Sequence, residues 1–174
     1  MKYYAIPIDK DGYAYFSIKA GYSPYTNNSW FCGGCPQVYG GNNQGSMIDT
    51  LYNEALEESH GKILLSKKQD DYKAIHKNNS MHFYTCSTFE YDDELILSER
   101  KKKLNEYKET TGEVLILEMS KIPRSTTRAV ASFMLTSYFQ KSGGRRPKPI
   151  NQEQFLKSET VKAILAASKS FNKL

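Results

Sequence analysis

Long apolar runs are missing from this 174-residue chain, and no stretch approaches the roughly 20 residues that a bilayer-spanning helix needs. The opening MKYYAIPIDKDGY also lacks the basic flank, apolar stretch and small-residue cleavage site of a secretory signal, so a cytoplasmic protein without a membrane partner is expected. Cysteine is scarce. Cys32, Cys35 and Cys86 are an odd number, which argues against a disulfide framework. The pair in WFCGGCPQVYGG has no second Cys-x-x-Cys and no His pair at the spacing a structural zinc site requires. A redox role is disfavoured too, because Pro36 and several turn formers follow and the next helix pattern starts some ten residues on, too late to activate a thiol. What remains is a glycine-rich turn with cysteines beside it.

Aromatic residues are plentiful, with 13 Tyr, and hydrophobic residues make up 39% of the chain, enough for one packed domain without staples. The net charge of +5 is modest. Its basic groups, Lys67-Lys68, Arg100 to Lys103 and Arg145-Arg146-Pro147-Lys148, read first as solvated faces. The segment KSGGRRPKP leaves open a basic arm with nucleic acid as its partner.

The segment YYAIPIDKDGYAYFSIK predicts two strands joined as a hairpin by an Asp11-Gly12 turn. A turn-rich, then glycine-rich stretch runs on to Ser46. Met47 to His60 has helical apolar spacing through Met47, Ile48, Leu51, Ala55 and Leu56, with Ser46 as cap and Gly61 as stop. Lys62 to Ser66, His82 to Phe89 and Glu113 to Met119 read as strands, and Asp92 to Tyr107 as a charged, partly helical segment. Thr126 to Gln140 reads as an amphipathic helix on Ala129, Phe133 and Leu135. Gln152 to Phe171 forms a last helix, and from about residue 142 the chain is a C-terminal helical extension. The sum is a single domain of mixed α/β or α+β class.

Chemistry concentrates in MIDTLYNEALEESHG, residues 47 to 61. On a helix Glu54 lies three residues from Glu57 and four from Glu58, so three carboxylates share one neighbourhood and repel by a few tenths of a kcal/mol per pair, roughly. A solvated acidic face is the plain explanation. A hard divalent cation such as Mg²⁺ or Mn²⁺, which prefers carboxylate oxygens and bridges to phosphates, is the functional one.

In this stretch the sequence resembles the Nudix hydrolase family, whose signature is G-x5-E-x7-R-E-U-x-E-E-x-G-U, with U a bulky aliphatic residue. Glu54, Glu57 and Glu58 fall on its helix acids. Asn53 stands at the Arg position, Gly45 at the upstream Glu, His60 at the late Gly, and Tyr39 beside Gly40-Gly41 at the first Gly. Trp30 ahead of Gly33-Gly34 is similar to the Trp and glycine pair that open the signature in many members, although Gly40-Gly41 also fits that role. The specific likeness covers residues 30 to 63, and the degenerate box itself residues 40 to 63.

The resemblance implies an α/β/α sandwich with a mixed sheet and hydrolysis of a diphosphate linkage in a nucleoside diphosphate derivative, with Mg²⁺ or Mn²⁺ as cofactor. It implies Glu54, Glu57 and Glu58 as metal ligands. Glu57, and Glu109 and Glu113 around a turn expected at TTGE, are then candidate general bases. Tyr15, Lys19, Trp30, Gly33 and Gly34 are candidate substrate contacts, and Tyr3 and Phe16 offer further stacking faces. A nucleotide-type small molecule is the expected partner, and a homodimer stays open. The departures at Asn53 and Gly45 keep a second reading beside the enzyme, a catalytically weakened or inactive module that binds nucleotide, RNA or protein.

Overall fold

The computed structural model describes residues 1–21, 33–94, 109–141 and 152–171. Trp30, Cys32, the basic clusters at 100–103 and 145–148, and most of the segment expected to be helical from Asp92 lie outside them. Among the described residues no helix is long and apolar enough to cross a membrane.

β1 (Lys2–Pro7) is the centre of a mixed sheet. It pairs antiparallel with β4 (Tyr39–Asn42) and parallel with β7 (Met81–Cys86), and β6 (Tyr72–Lys77) adds to the far edge of β7. β2 (Tyr13–Lys19) lies between the short β3 (Pro36–Gln37) and β9 (Thr110–Glu118), both antiparallel to it. β5 (Ile63–Leu65) and β8 (Phe89–Tyr91) form a small ribbon. The fold is therefore α/β of the mixed, α+β kind.

The expected hairpin is corrected. The Asp11-Gly12 turn forms, with the Asp9 carboxylate accepting from the backbone of Asp11 and Tyr13, yet β1 and β2 share only an Ile8–Ala14 bridge and enter different sheets. Away from the turn the two strands take other neighbours: Lys2–Ala5 pairs with β4 and β7, and Ser17 pairs with β3 and β9.

Strand alternation divides the interior into two cores. Ile6, Phe16, Ile18, Phe83, Leu115 and Leu117 face the larger one. It is closed by α2 (Thr127–Lys141), α3 (Gln152–Leu156) and α4 (Glu159–Phe171). Ala5, Tyr15, Tyr39 and Cys86 face the other, under α1 (Met47–Glu58). Helices thus cover both faces of the strand layer. α2 buries Val130, Ala131, Met134 and Tyr138, and the expected stripe of Ala129, Phe133 and Leu135 is only partly buried beside it. The expected last helix breaks at Lys157-Ser158, where the Ser158 hydroxyl caps α4 by accepting from Val161 N–H at 3.3 Å. The strand expected over His82 to Phe89 is likewise interrupted, because Ser87 N–H turns aside to the carbonyl of Asp71.

α1 begins as its sequence predicts, with Asp49 N–H donating to Ser46 Oγ at 3.1 Å. Its end is unusual. Gly61 N–H reaches Leu56 O and His60 N–H reaches Glu57 O, the bond pattern that closes a helix through a left-handed residue, here His60 at φ 55° where glycine is common. His60 Nε2 donates to the carbonyl of Thr110 at 3.1 Å, so the strained residue is anchored to the start of β9. Gly112 makes room for that ring.

A Cβ at Gly112 would sit 2.3 Å from His60 Nδ1, at φ +80°. Gly112→Ala is expected to destabilise the protein by about 2–4 kcal/mol in urea denaturation, and a loss below about 0.5 kcal/mol would contradict this account of the helix end.

Candidate active site

The glycine stretch that reads as a loop contains β4, and its two glycines meet the acidic helix. Gly40 N–H donates to Glu58 Oε1 at 2.7 Å. A Cβ at Gly40 would lie 2.0 Å from Tyr3 O, so only glycine permits β4 to approach β1 here. A Cβ at Gly41 would lie 2.9 Å from Glu54 Oε1. Gly40-Gly41 is thus the pair that seats the helix acids. Gly33-Gly34 acts one step away: Gly34 N–H donates to Lys19 O at 2.8 Å and Lys19 N–H to Cys35 O at 3.0 Å, which fixes the backbone that carries Lys19.

Glu54, Glu57 and Glu58 occupy the C-terminal half of α1, whose last turn has no basic residue. This is the unfavourable end of the helix dipole for anions, by ~0.3–1 kcal/mol for each acid close to it. Burial, then repulsion from Glu57 and Glu109, pushes the Glu54 carboxyl up from 4.5 to about 7 against opposing help from Gln44 and Lys19. Glu58 rises well above the usual carboxylate range through burial and then Glu54, against the Gly40 N–H and Lys19. Glu109 follows from the clamp on α1: Thr110 Oγ1 donates to the backbone carbonyl of Glu58 at 2.6 Å, and Ala20 N–H donates to Glu109 O at 2.8 Å. Lys19 Nζ stands 3.8 Å from Glu109 Oε2.

Where the Nudix signature has arginine, two neutral amides hold the first acid. Asn53 Nδ2 donates to Gln44 Oε1 at 3.0 Å, and Gln44 Nε2 donates to Glu54 Oε1 at 2.8 Å. The Gln44 backbone is itself tied to α1 through Thr50 Oγ1 at 2.8 Å. Glu54 is oriented by this relay without a formal positive charge to neutralise it.

Glu58 borders a cleft of about 550 Å³ whose lining also includes Lys2, Tyr4, Lys19, Gly40 and Glu109, with Lys157 to Thr160 at the α3–α4 corner as its other wall. Tyr4 stacks on Phe83 with ring centroids 4.9 Å apart and planes at 17°. Its phenol is pushed up to about 12, by burial first and then by Glu58, Glu54 and Glu109.

The structure therefore gathers Glu54, Glu57, Glu58 and Lys19, and adds Glu109. Trp30 lies outside the described residues, and Tyr15 and Glu113 are not brought to this group. Tyr15 is buried in the core under α1, its hydroxyl donating to Asp9 Oδ2 at 3.0 Å and its ring edge-on to Phe89 and Tyr91. Tyr3 points to that same core, and Phe16 is wholly buried in the larger one. Glu113 lies in a separate groove with Lys62 and Lys141 and accepts from Tyr138 OH at 2.8 Å. Cys35 and Cys86 are buried in different cores. Sequence reasoning missed Tyr4, which alternation along β1 places opposite Tyr3, and Gln44, which carries no signal until the loop before α1 is folded.

Among the described residues no group of three or more His, Cys, Asp or Glu is arranged as a ready cage for a metal. The donor chemistry nonetheless fits a hard cation. Mg²⁺ typically takes one or two protein carboxylates and completes its shell with water and substrate phosphate. Two mutually repelling, desolvated carboxyls match that demand.

No protein-family model matches the chain, and no curated protein matches it in sequence. Among solved structures the chain is similar to a MutT NUDIX hydrolase from Burkholderia pseudomallei, at 13% identity and a TM-score of 0.38, over 76% of this chain and 93% of that one. It is similar as well to a structure described as an ADP compounds hydrolase, at 11% identity and a TM-score of 0.39, over 82% of this chain and 75% of the other. Values this low leave the site to be read from its own residues.

Glu54 keeps its proton in the folded protein up to about pH 7 and releases it near 4.5 when unfolded. Metal-free protein should therefore lose stability as pH rises from about 4.5 to about 7, with no further loss from this group above that. Thermal melts in chelator across that range should show the decline, and Glu54→Gln should make it shallower. An equal slope in both proteins would contradict the shift.

Proposed function

We propose that the protein is a Nudix-type hydrolase that cuts a diphosphate linkage in a nucleoside diphosphate derivative with the help of Mg²⁺ or Mn²⁺. The observation that carries this reading is the desolvated Glu54–Glu58 pair, seated on Gly40-Gly41, with Glu58 lining a cleft large enough for a nucleotide.

Glu54 and Glu58, with Glu57 from the same turn, would hold the cation. When bound, such an ion neutralises phosphate charge and makes water a better nucleophile. Lys19, which lines the same cleft, would meet a phosphate oxygen, and its approach to Glu109 keeps that carboxylate beside the acids. Glu109 is therefore the better general base than Glu113, because it shares the cleft with Glu58 while Glu113 occupies another groove. The Asn53–Gln44–Glu54 relay supplies the orientation that an arginine would otherwise supply, so the departure at Asn53 does not leave the first acid loose.

The test is a panel of nucleoside triphosphates, dinucleotides, ADP-ribose and nucleotide sugars with Mg²⁺ or Mn²⁺. Metal-dependent cleavage is expected, reduced on the order of 100-fold or more by Glu57→Gln and by Glu109→Gln, and nearly unchanged by Glu113→Gln. Absence of turnover with nucleotide binding that survives Glu57→Gln would replace the enzyme with a noncatalytic binding module.

A further inference from the structure

We propose that Tyr4 is a catalytic residue of this cleft, its hydroxyl donating a hydrogen bond to a phosphate oxygen of the substrate at the bond that breaks. The proposal rests on the diphosphatase reading above and adds a group outside the acidic helix.

Tyr4 is placed by strand pairing. It stands opposite Gly40 on β4 and Phe83 on β7, so it sits in the middle of the sheet face that floors the cleft. Its ring is held in place. Phe83 stacks on it with centroids 4.9 Å apart, and a Cβ at residue 40 would come within 2.6 Å of Tyr4 Cδ1, so the bare glycine leaves the ring its room. Tyr4 in this position lines the cleft. Its hydroxyl makes no hydrogen bond among the described residues, whereas the acids around it are engaged, Glu58 by Gly40 N–H and Glu54 by Gln44 Nε2.

The charges facing that hydroxyl are Glu58, Glu54 and Glu109, and Lys2 and Lys19 line the same cleft. Among carboxylates a phenol stays protonated, and so it offers a neutral donor. An anionic phosphate chain entering between these acids needs donors as well as a cation. A fixed donor that meets the oxygen on which charge grows as the P–O bond breaks stabilises the transition state more than the ground state. No proton leaves Tyr4 in this step, since the hydroxyl donates a hydrogen bond only.

Tyr4→Phe removes one oxygen and keeps the stack on Phe83. On the substrate found by the panel, kcat should fall about 10- to 100-fold with KM changed by less than about 3-fold. Tm and Mn²⁺ affinity should not move, because the hydroxyl has no hydrogen-bond partner among the described residues. An unchanged kcat overturns the proposal, and so does a loss of kcat that tracks a fall in Tm or in Mn²⁺ affinity. Binding of ADP with a methylene bridge between its phosphates, measured by calorimetry with Mn²⁺, separates this idea from the reading beneath it. If the wild type binds the analogue and cleaves nothing, the diphosphatase reading fails, while an affinity loss of about 2- to 3-fold in Tyr4→Phe still supports the hydrogen bond and equal affinity overturns it. A wild type that neither binds nor cleaves overturns both.

Discussion

The hydrogen bond from Gly40 N–H to the Glu58 carboxylate joins the acidic helix to the sheet, and the geometry of the cleft depends on it. Three constraints converge there. β4 must come close enough to β1 that residue 40 has no side chain. α1 must end where Glu58 can reach back, which the left-handed turn at His60 and the Thr110 contact secure. The same closeness puts Tyr4 against the bare backbone of Gly40 and so beside the acids. Disturbing any one of these moves the other two.

That arrangement is costly in electrostatic terms. Three acids lie toward the negative end of a helix dipole, two of them desolvated and pushed up further by neighbouring carboxylates, with Lys19 as a cation that opposes both shifts. A protein shaped for stability alone would place Gln or Lys at such positions. The cost is understandable if the acids meet positive charge in the working state, and the neutral Asn53–Gln44 relay orients Glu54 without cancelling the charge that a cation would use. Perturbed carboxyls in a cleft are where function tends to lie.

Much of the site was legible from residues 46 to 61, because a capped helix with acids three and four residues apart follows from local rules alone. The glycine stretch was not. YGGN has neither the alternation nor the β-branched content of a strand, and it becomes β4 through the edge that β1 offers. The aromatic residues misled for a related reason. Tyr3, Tyr4, Tyr15 and Phe16 are alike in sequence, and which one reaches the cleft depends on strand parity and on the layer beneath, so Tyr15 and Phe16 went to cores and Tyr4 to the cleft. Glu109 and Glu113 read as flanking a TTG turn, but Thr110–Glu118 is one strand, β9, and its pairing with β2 leaves the two acids lining different grooves.

The central claim is that Glu54 and Glu58 form an acidic pair completed by a divalent cation. It is tested most directly by titrating Mn²⁺ into the protein and following the loss of the free-ion paramagnetic resonance signal near neutral pH, for the wild type and for Glu58→Gln. The account predicts saturable binding in the wild type that is weakened at least about 10-fold in the variant. Equal Mn²⁺ affinity in the two proteins, or no saturable binding in the wild type even with a nucleoside diphosphate present, would contradict it.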